Sequence, residues 1–470
     1  MSSQELPAER LATTAQDGSR VYLHTAEVRG KLRSLRNLIY DILLIIFLCM
    51  PWIRINGHPV LLLDIPNRHF SIFGLTFWGH DAPMLFLVFV SFVVTIGLIT
   101  AIFGRGWCGW ACPQTVFIDR LFLRIERWIE GSAIEQKKLD DGPMTAVKFF
   151  KKTLKWVLFL ASSLVVTHSF LAYFVGTEKL AIMVRHSPLE HPASFFTILL
   201  TTAIVLFDFG WFREQFCVIA CPYGRFQSVL MDENSLIVAY DAKRGEPRGK
   251  KGEDPSKTGD CVNCFRCVQV CPTGIDIRRG VQMECIACTA CIDACDEVMS
   301  KIKRPAGLIR YDTEAGLEHK PVKHFRARTL IYSIVIIAAA TALFFVVTTR
   351  ELVKISFVHA MENPYQLVHD GQEVINHLKV NIHNQNTHAV DVRFDLPAEL
   401  AQKNISLVTP ISPLVVNADQ SLRADLFITF PRSFLKFGNE RIKVHIHSSH
   451  PGSNTDEMVK EVPLIGPGEN

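Results

Sequence analysis

The sequence predicts a multi-domain membrane protein: a bundle of five transmembrane helices, a cysteine-rich soluble domain inserted between the fourth and fifth, and a C-terminal β-sandwich. Three observations carry that prediction. Five apolar runs reach or approach the ~20 residues that span a bilayer, at about 38–55, 83–103, 154–175, 195–212 and 329–348. Twelve of the thirteen cysteines fall in four motifs, all of which precede the fifth run. Residues 350–470 contain no cysteine and alternate apolar with polar positions in short runs broken by Pro, Asn, Asp and Gly.

A chain of 470 residues has room for several domains, and a mean hydropathy of +0.19 with 20% charged residues fits apolar spans joined to sizeable polar parts. The net charge is only +4, and no basic block is interleaved with aromatics, which argues against a nucleic-acid surface. A polar tail, 1–37, precedes the first run, so that run is expected to be a retained anchor and not a cleaved leader. The stretch "LLLDIPNRHFSIFGLTFWGHD" (61–81) is apolar but carries Asp64, Arg68 and His69. It is expected to be interfacial or re-entrant, with a simple loop as the alternative. Lys and Arg counts set the orientation. Six lie before the first span, two in 54–82, nine in 104–152 and two in 177–193, and 213–327 is rich in them again. The N-terminus is therefore expected in the cytoplasm, and an odd number of spans sends the segment after the fifth to the periplasmic side.

The second and fourth runs end in related sequences, "GWCGWACPQTVF" (106–117) and "QFCVIACPYGRF" (215–226). Each is Cys-x-x-x-Cys-Pro, with a phenylalanine (Phe117, Phe226) five residues past the second cysteine. By the orientation above, both lie at the cytoplasmic rim. At i and i+4, Cys108 with Cys112 and Cys217 with Cys221 would share a helix face, and Pro113 and Pro222 would break or redirect each helix. The repeat predicts a pseudo-twofold pair that gathers four thiols. Four soft sulfurs suit Cu(I), zinc or an iron cluster, and a pair could form a redox disulfide. Packing of small apolar side chains is the bland alternative. After Pro113, Ile118, Leu121, Phe122, Ile125, Trp128 and Ile129 form one stripe, the pattern of an amphipathic helix in the interface.

The inserted domain, 241–327, opens with a charged linker at 241–260. Then come Cys261-x2-Cys264-x2-Cys267-x3-Cys271-Pro272 and Cys285-x2-Cys288-x2-Cys291-x3-Cys295, the spacing of a bacterial two-cluster ferredoxin. Each four-iron cubane takes three cysteines of one motif and the fourth of the other. The expected sets are Cys261, Cys264, Cys267 with Cys295, and Cys285, Cys288, Cys291 with Cys271. A pair of zinc sites would have little use for a doubled motif of this kind. Asp296 stands where a proline usually follows the fourth cysteine, which alters a turn but removes no ligand. Thiols kept on the reducing side serve metals or redox work more often than structural disulfides. The fold class is then a five-helix transmembrane bundle with an inserted bacterial-type 2[4Fe-4S] ferredoxin domain and a C-terminal immunoglobulin-like β-sandwich at 350–470. Docking is the default role for the sandwich.

Three weaker candidates remain. Cys49 reads as a small core residue, with a metal role as the sharper alternative. His168, in the third run, reads as a satisfied buried histidine in preference to a haem ligand. His445, His447 and His450 read as a solvated strand face in preference to a copper site.

These motifs together, with "CVIACPYGRFQSV" and "CPTGIDIRRGVQMECIACTACIDACD", make the chain resemble the cytochrome c oxidase accessory protein family of the CcoG/FixG/RdxA type over nearly its whole length. Nitrate- and nitrous-oxide-reductase accessory proteins share the first four spans and the ferredoxin core, but the fifth span and the sandwich point to the oxidase branch. The resemblance implies a bacterial inner-membrane protein that acts in assembly of cbb3-type cytochrome oxidase by reducing Cu(II) to Cu(I) for copper delivery. The implied route runs from a cytoplasmic electron donor to two [4Fe-4S] clusters, then to copper held by Cys108, Cys112, Cys217 and Cys221. Implied partners are oxidase subunits or copper chaperones and transporters. Two other readings stand beside it: a quinol-linked conduit without copper, and a non-enzymatic, redox-sensing assembly factor.

Overall fold

The computed structural model describes residues 13, 17, 20–55, 57–78, 82–249, 258–323, 326–349, 351–359, 365–369, 371–386, 388–418, 420–435, 438–449 and 456–467. His450, Arg10, the end of the 61–81 stretch and linker residues 250–257 lie outside the described residues. The chain divides into two compact units, the smaller being mostly Phe345–Asn470.

Among the described residues, five helices are long and apolar enough to cross a bilayer: Lys31–Trp52, Pro83–Phe103, Ala146–Val175, Pro192–Phe212 and Ala327–Thr348. Two begin seven or eight residues before their apolar runs, because polar first turns are held by partners that a hydropathy pattern does not register. The first helix starts at Lys31, where Asp293 of the inserted domain accepts the backbone N–H groups of Leu32 (3.3 Å) and Arg33 (2.6 Å). A residue from another domain thus does the work of an N-cap. Gly30 makes room for it, since a Cβ there would lie 2.1 Å from the Asp293 carboxyl carbon. The third helix starts at Ala146, capped by Thr145, whose hydroxyl accepts from the Lys148 N–H.

The stretch after the first span is built of strands and is not a simple loop. Leu61–Asp64 pairs antiparallel with His69–Ile72, and buried Asp64 closes the turn by accepting from Asn67 and from Lys179 (3.2 Å). Leu62 is buried near Gly176 at the end of the third span, while Ile65 and Phe73 remain exposed.

The helix beyond Pro113 forms as three consecutive segments, Pro113–Phe117, a π-turn at Ile118–Phe122, and Leu123–Glu130. Its buried face departs from the apolar stripe. Ile118 and Phe122 are buried, but Trp128 is 78% exposed, while Glu126 and Glu130 are almost fully buried. Glu126 bonds Lys155 of the third span (3.0 Å) and Arg213 (2.9 Å), and Lys155 also reaches Glu130 (2.8 Å). Opposite charges across helices replace apolar contact on this face.

The smaller unit is a two-sheet sandwich. Glu373–Asn384 pairs with Ser421–Pro431 and with Val353–His359 in one sheet, and Asn439–Ser449 pairs with Val390–Asp395 and Asp456–Ile465 in the other. Alternate residues such as Leu378, Val380, Ile382, Val444 and Ile446 face a common core. His445 and His447 lie on the outer face, paired with Glu457 (2.5 Å) and Asp395 (3.6 Å).

Candidate metal centres

Both ferredoxin motifs are built by the same backbone device. Residues two and four past the first cysteine are left-handed in each: Asn263 and Phe265 (φ 50° and 57°), and Ala287 and Thr289 (φ 51° and 64°). Non-glycine residues reach this region at a cost, and its repetition at matched positions marks a purpose. These left-handed residues curl the chain at each motif, burying Cys261 and Cys267 but leaving Cys264 exposed. Each curl feeds a helix, Arg266–Gln269 and Ala290–Lys301.

The thiols sort into two groups. Cys295 feels the charges of Cys267, Cys261 and Cys264. Cys291 feels most strongly those of Cys288, Cys285 and Cys271 and last that of Cys267, and all five line one cavity. Burial pushes the Cys267, Cys285 and Cys295 thiols up to about 12. Among the described residues, no three His, Cys, Asp or Glu side chains converge on a single metal ion. Cubane thiolates bond different irons and stand farther apart, so two groups of four cysteines without other ligand types fit four-iron clusters. Asp296 accepts the Gly307 N–H (2.8 Å), bracing the loop behind Cys295. Cys264 is exposed.

The rim motifs match each other in backbone. Cys108 lies in the helical turn Gly106–Trp110 and Cys217 in the π-turn Phe216–Ala220. In each motif the second cysteine donates its N–H five residues back, Cys112 to Trp107 O (2.9 Å) and Cys221 to Phe216 O (2.8 Å). Both second cysteines are then extended, with ψ 126° and 113°, because they precede proline. The pairs therefore straddle a helix break and do not share one helix face at i and i+4, as the spacing alone suggested. The four thiols lie near enough to influence one another electrostatically, although among the described residues no three of them converge on a single metal position. Cys108 feels Cys112 and Cys221, Cys112 feels Cys221, and Cys217 feels all three. Burial pushes Cys108 up to about 11 and Cys217 further. The Thr115 hydroxyl lies 2.7 Å from Cys108 O and 2.9 Å from Cys112 O, tying the break together.

The rim turn sits directly on the second ferredoxin motif. A Cβ on Gly109 would lie 2.4 Å from Ala287 O and 2.8 Å from Ile286 O, so only glycine permits this approach. Tyr40 clamps the turn from the other side, donating to Gly109 O (2.6 Å). Trp110 Nε1 donates to Tyr311 Oη (2.8 Å), which donates to Ala287 O (3.3 Å). Arg105 donates to Cys285 O (3.1 Å) and to Gly224 O (3.3 Å), linking the cluster loop to both rim motifs. Arg36 donates to Cys288 O.

Pattern reading missed Gly109, Arg105, Tyr311 and Gln227, whose Nε2 donates to Cys108 Sγ (3.1 Å). For Gly109, Arg105 and Gln227 the only signal was their position inside or close to the cysteine motifs, and Tyr311 carried none. Cys49 is exposed near the end of the first span, and His168 Nδ1 bonds Leu164 O (2.7 Å) on its own helix.

Residues 212–314 match the family profile of a 4Fe-4S dicluster domain, 84–130 that of a 4Fe-4S binding domain, and 343–467 that of the IG-like fold at the C-terminus of FixG. The chain is 37% identical over 387 residues to protein RdxA of Cereibacter sphaeroides, covering 79% of this chain and 81% of RdxA. It is 36% identical over 419 residues to RdxB of the same organism, covering 85% and 87%. It is 34% identical over 402 residues to the nitrogen fixation protein FixG of Rhizobium meliloti, covering 76% and 75%.

Proposed function

The chain belongs to the RdxA/FixG family of membrane iron–sulfur proteins, and from that premise we propose that it delivers single electrons from the cytoplasm to Cu(II) at the rim thiols, yielding Cu(I) for assembly of a cbb3-type cytochrome oxidase. Bound four-iron clusters would supply one-electron transfer, held by Cys261, Cys264, Cys267 and Cys295 and by Cys285, Cys288, Cys291 and Cys271. The observation that carries the reading is the seat of Gly109 on Ala287. It leaves no side chain between the turn that bears Cys108 and the loop that bears Cys285 and Cys288. Tyr40, Arg105 and the Trp110–Tyr311 pair hold that contact in register.

Copper enters as substrate. One electron converts Cu(II) to Cu(I), and thiolates prefer the product, so Cys108, Cys112, Cys217 and Cys221 would draw the reduction forward. Electrons would come from a cytoplasmic donor, and the exposure of Cys264 is consistent with entry at the first motif. The protein would sit in the bacterial inner membrane with its N-terminus and ferredoxin domain in the cytoplasm and its sandwich in the periplasm, where it would meet oxidase subunits or copper carriers.

In a host that makes cbb3 oxidase, replacing the gene by the Cys108→Ser/Cys112→Ser form should lower oxidase activity to that of a deletion strain, with the variant still present in membranes. Full oxidase activity in that strain would refute a copper-delivery role for the rim.

A further inference from the structure

We infer that Gln227 is a fifth group of the rim site, an oxygen donor that takes up Cu(II) beside Cys108. This rests on the copper reading above and deepens it.

Gln227 belongs to the helix Pro222–Leu230, in the second rim motif, yet its side chain reaches across to the first. Its Nε2 lies 3.1 Å from Cys108 Sγ. The residue is 0% exposed, and its Oε1 is buried without a hydrogen-bond partner among the described residues. Buried amide oxygens are nearly always paired, so an unpaired one on a side chain that bonds Cys108 calls for a ligand. Packing does not explain the amide. Gln227 is six residues past Cys221, and six residues past Cys112 the repeat carries Ile118, which is apolar and 4% exposed. The fold tolerates a hydrocarbon at the equivalent position and uses an amide only here.

The chemistry gives that oxygen a task. Cu(II) accepts oxygen and nitrogen donors, whereas Cu(I) favours sulfur. An amide oxygen next to a thiol receives the oxidised ion. One electron from the reduced chain, supplied by the cytoplasmic carrier, converts it to Cu(I). The reduced ion then passes wholly to the sulfurs, and no other bond is made or broken.

The test uses full-length, cluster-loaded protein, reduced with dithionite, freed of it on a desalting column, and mixed anaerobically with increasing Cu(II) and a Cu(I)-specific chelator. Gln227→Leu should raise the Cu(II) concentration for half-maximal rate by roughly 10–100-fold, the usual effect of losing a group around a metal, with a much smaller change in limiting rate. Gln227→Glu keeps an oxygen but has no N–H to give Cys108, and should stay close to wild type. If the Glu form is as impaired as the Leu form, the amide works through its N–H, and the oxygen-donor assignment fails. If both match wild type, Gln227 has no part in copper uptake. Should wild type yield no Cu(I) at all, the copper-reduction reading falls instead. Cu(II) binding to the oxidised proteins, followed by the EPR of the ion, then decides on Gln227, where equal affinity in wild type and Gln227→Leu would overturn the assignment.

Discussion

Gly109→Val should slow electron delivery from the ferredoxin domain to Cu(II) by roughly 100-fold, the scale of loss expected when reacting centres are misplaced by about 1 Å. The position is not demanding in dihedral space. What it demands is absence of volume. A Cβ would stand 2.4 Å from Ala287 O, 2.7 Å from Ala287 C and 2.8 Å from Ile286 O, all backbone atoms of the curled cluster loop. Such atoms cannot swing aside as a flexible side chain does. Because Tyr40 pins the opposite side of the turn, the whole turn must lift, taking Cys108 with it and breaking the Trp110–Tyr311 alignment. Reduction of the clusters by dithionite and the iron content should be unchanged, since no cluster ligand moves. Alanine should give an intermediate rate. A valine variant that reduces Cu(II) at the wild-type rate would mean that electrons do not leave through this contact.

Glu126→Gln should destabilise the protein by roughly 3 kcal/mol, at the low end for breaking a buried ion pair. Glu126 is 2% exposed and holds together three separate segments through Lys155 (3.0 Å), Arg213 (2.9 Å) and the Tyr22 hydroxyl (3.2 Å). Without that charge, Arg213 has no anionic partner among the described ion pairs and keeps Gly210 O (3.1 Å) and at most a neutral amide oxygen as acceptors. Burial alone would raise the Glu126 carboxyl, but Arg213 and Lys155 outweigh it and hold it at about 2, against an ordinary 4.5. The sign follows from linkage. A carboxyl depressed by folding stabilises fully above its unfolded value and loses that contribution as pH falls from about 4.5 towards 2. Wild type should therefore lose stability in that window faster than Glu126→Gln, and the two should run parallel above it. Thermal unfolding in detergent, followed by helical circular dichroism, measures both. Parallel curves across the acid window would show that Glu126 carries no favourable charge pairing.

The parts of this fold that repeat or count were legible in the sequence. Five spans follow from runs of apolar residues, and the paired cluster loops follow from cysteine spacing, because ligand geometry dictates that spacing. Contacts between distant segments were not legible. Asp293 capping the first span joins residues about 260 apart in sequence, and nothing in "CIDACD" announces it. The helix after Pro113 was legible as amphipathic, but the burial of its acidic residues was not. At a membrane surface, Trp128 can point outward into an apolar environment, while Glu126 and Glu130 turn inward to buried cations. An apolar stripe then no longer marks the buried side. The break in each rim motif was legible in principle, since Cys112 and Cys221 precede proline and such residues avoid the helical region. Gln227 was hidden because its importance lies in a contact across two motifs and in an oxygen that has no partner among the described residues.

The central claim is that electrons held in the ferredoxin domain reach copper through the four rim thiols. The most direct test is single-turnover Cu(II) reduction by pre-reduced, reductant-free protein, with Cu(I) read by a specific chelator and the clusters followed by EPR. Wild type would be compared with Cys108→Ser/Cys112→Ser and Cys217→Ser/Cys221→Ser variants that retain both clusters. The predicted result is that cluster reoxidation and Cu(I) appear together in wild type, one ion per electron, and that both stop in either variant. If the variants reduce Cu(II) as fast as wild type, electrons pass from the clusters to free metal, and the rim thiols are not the copper site.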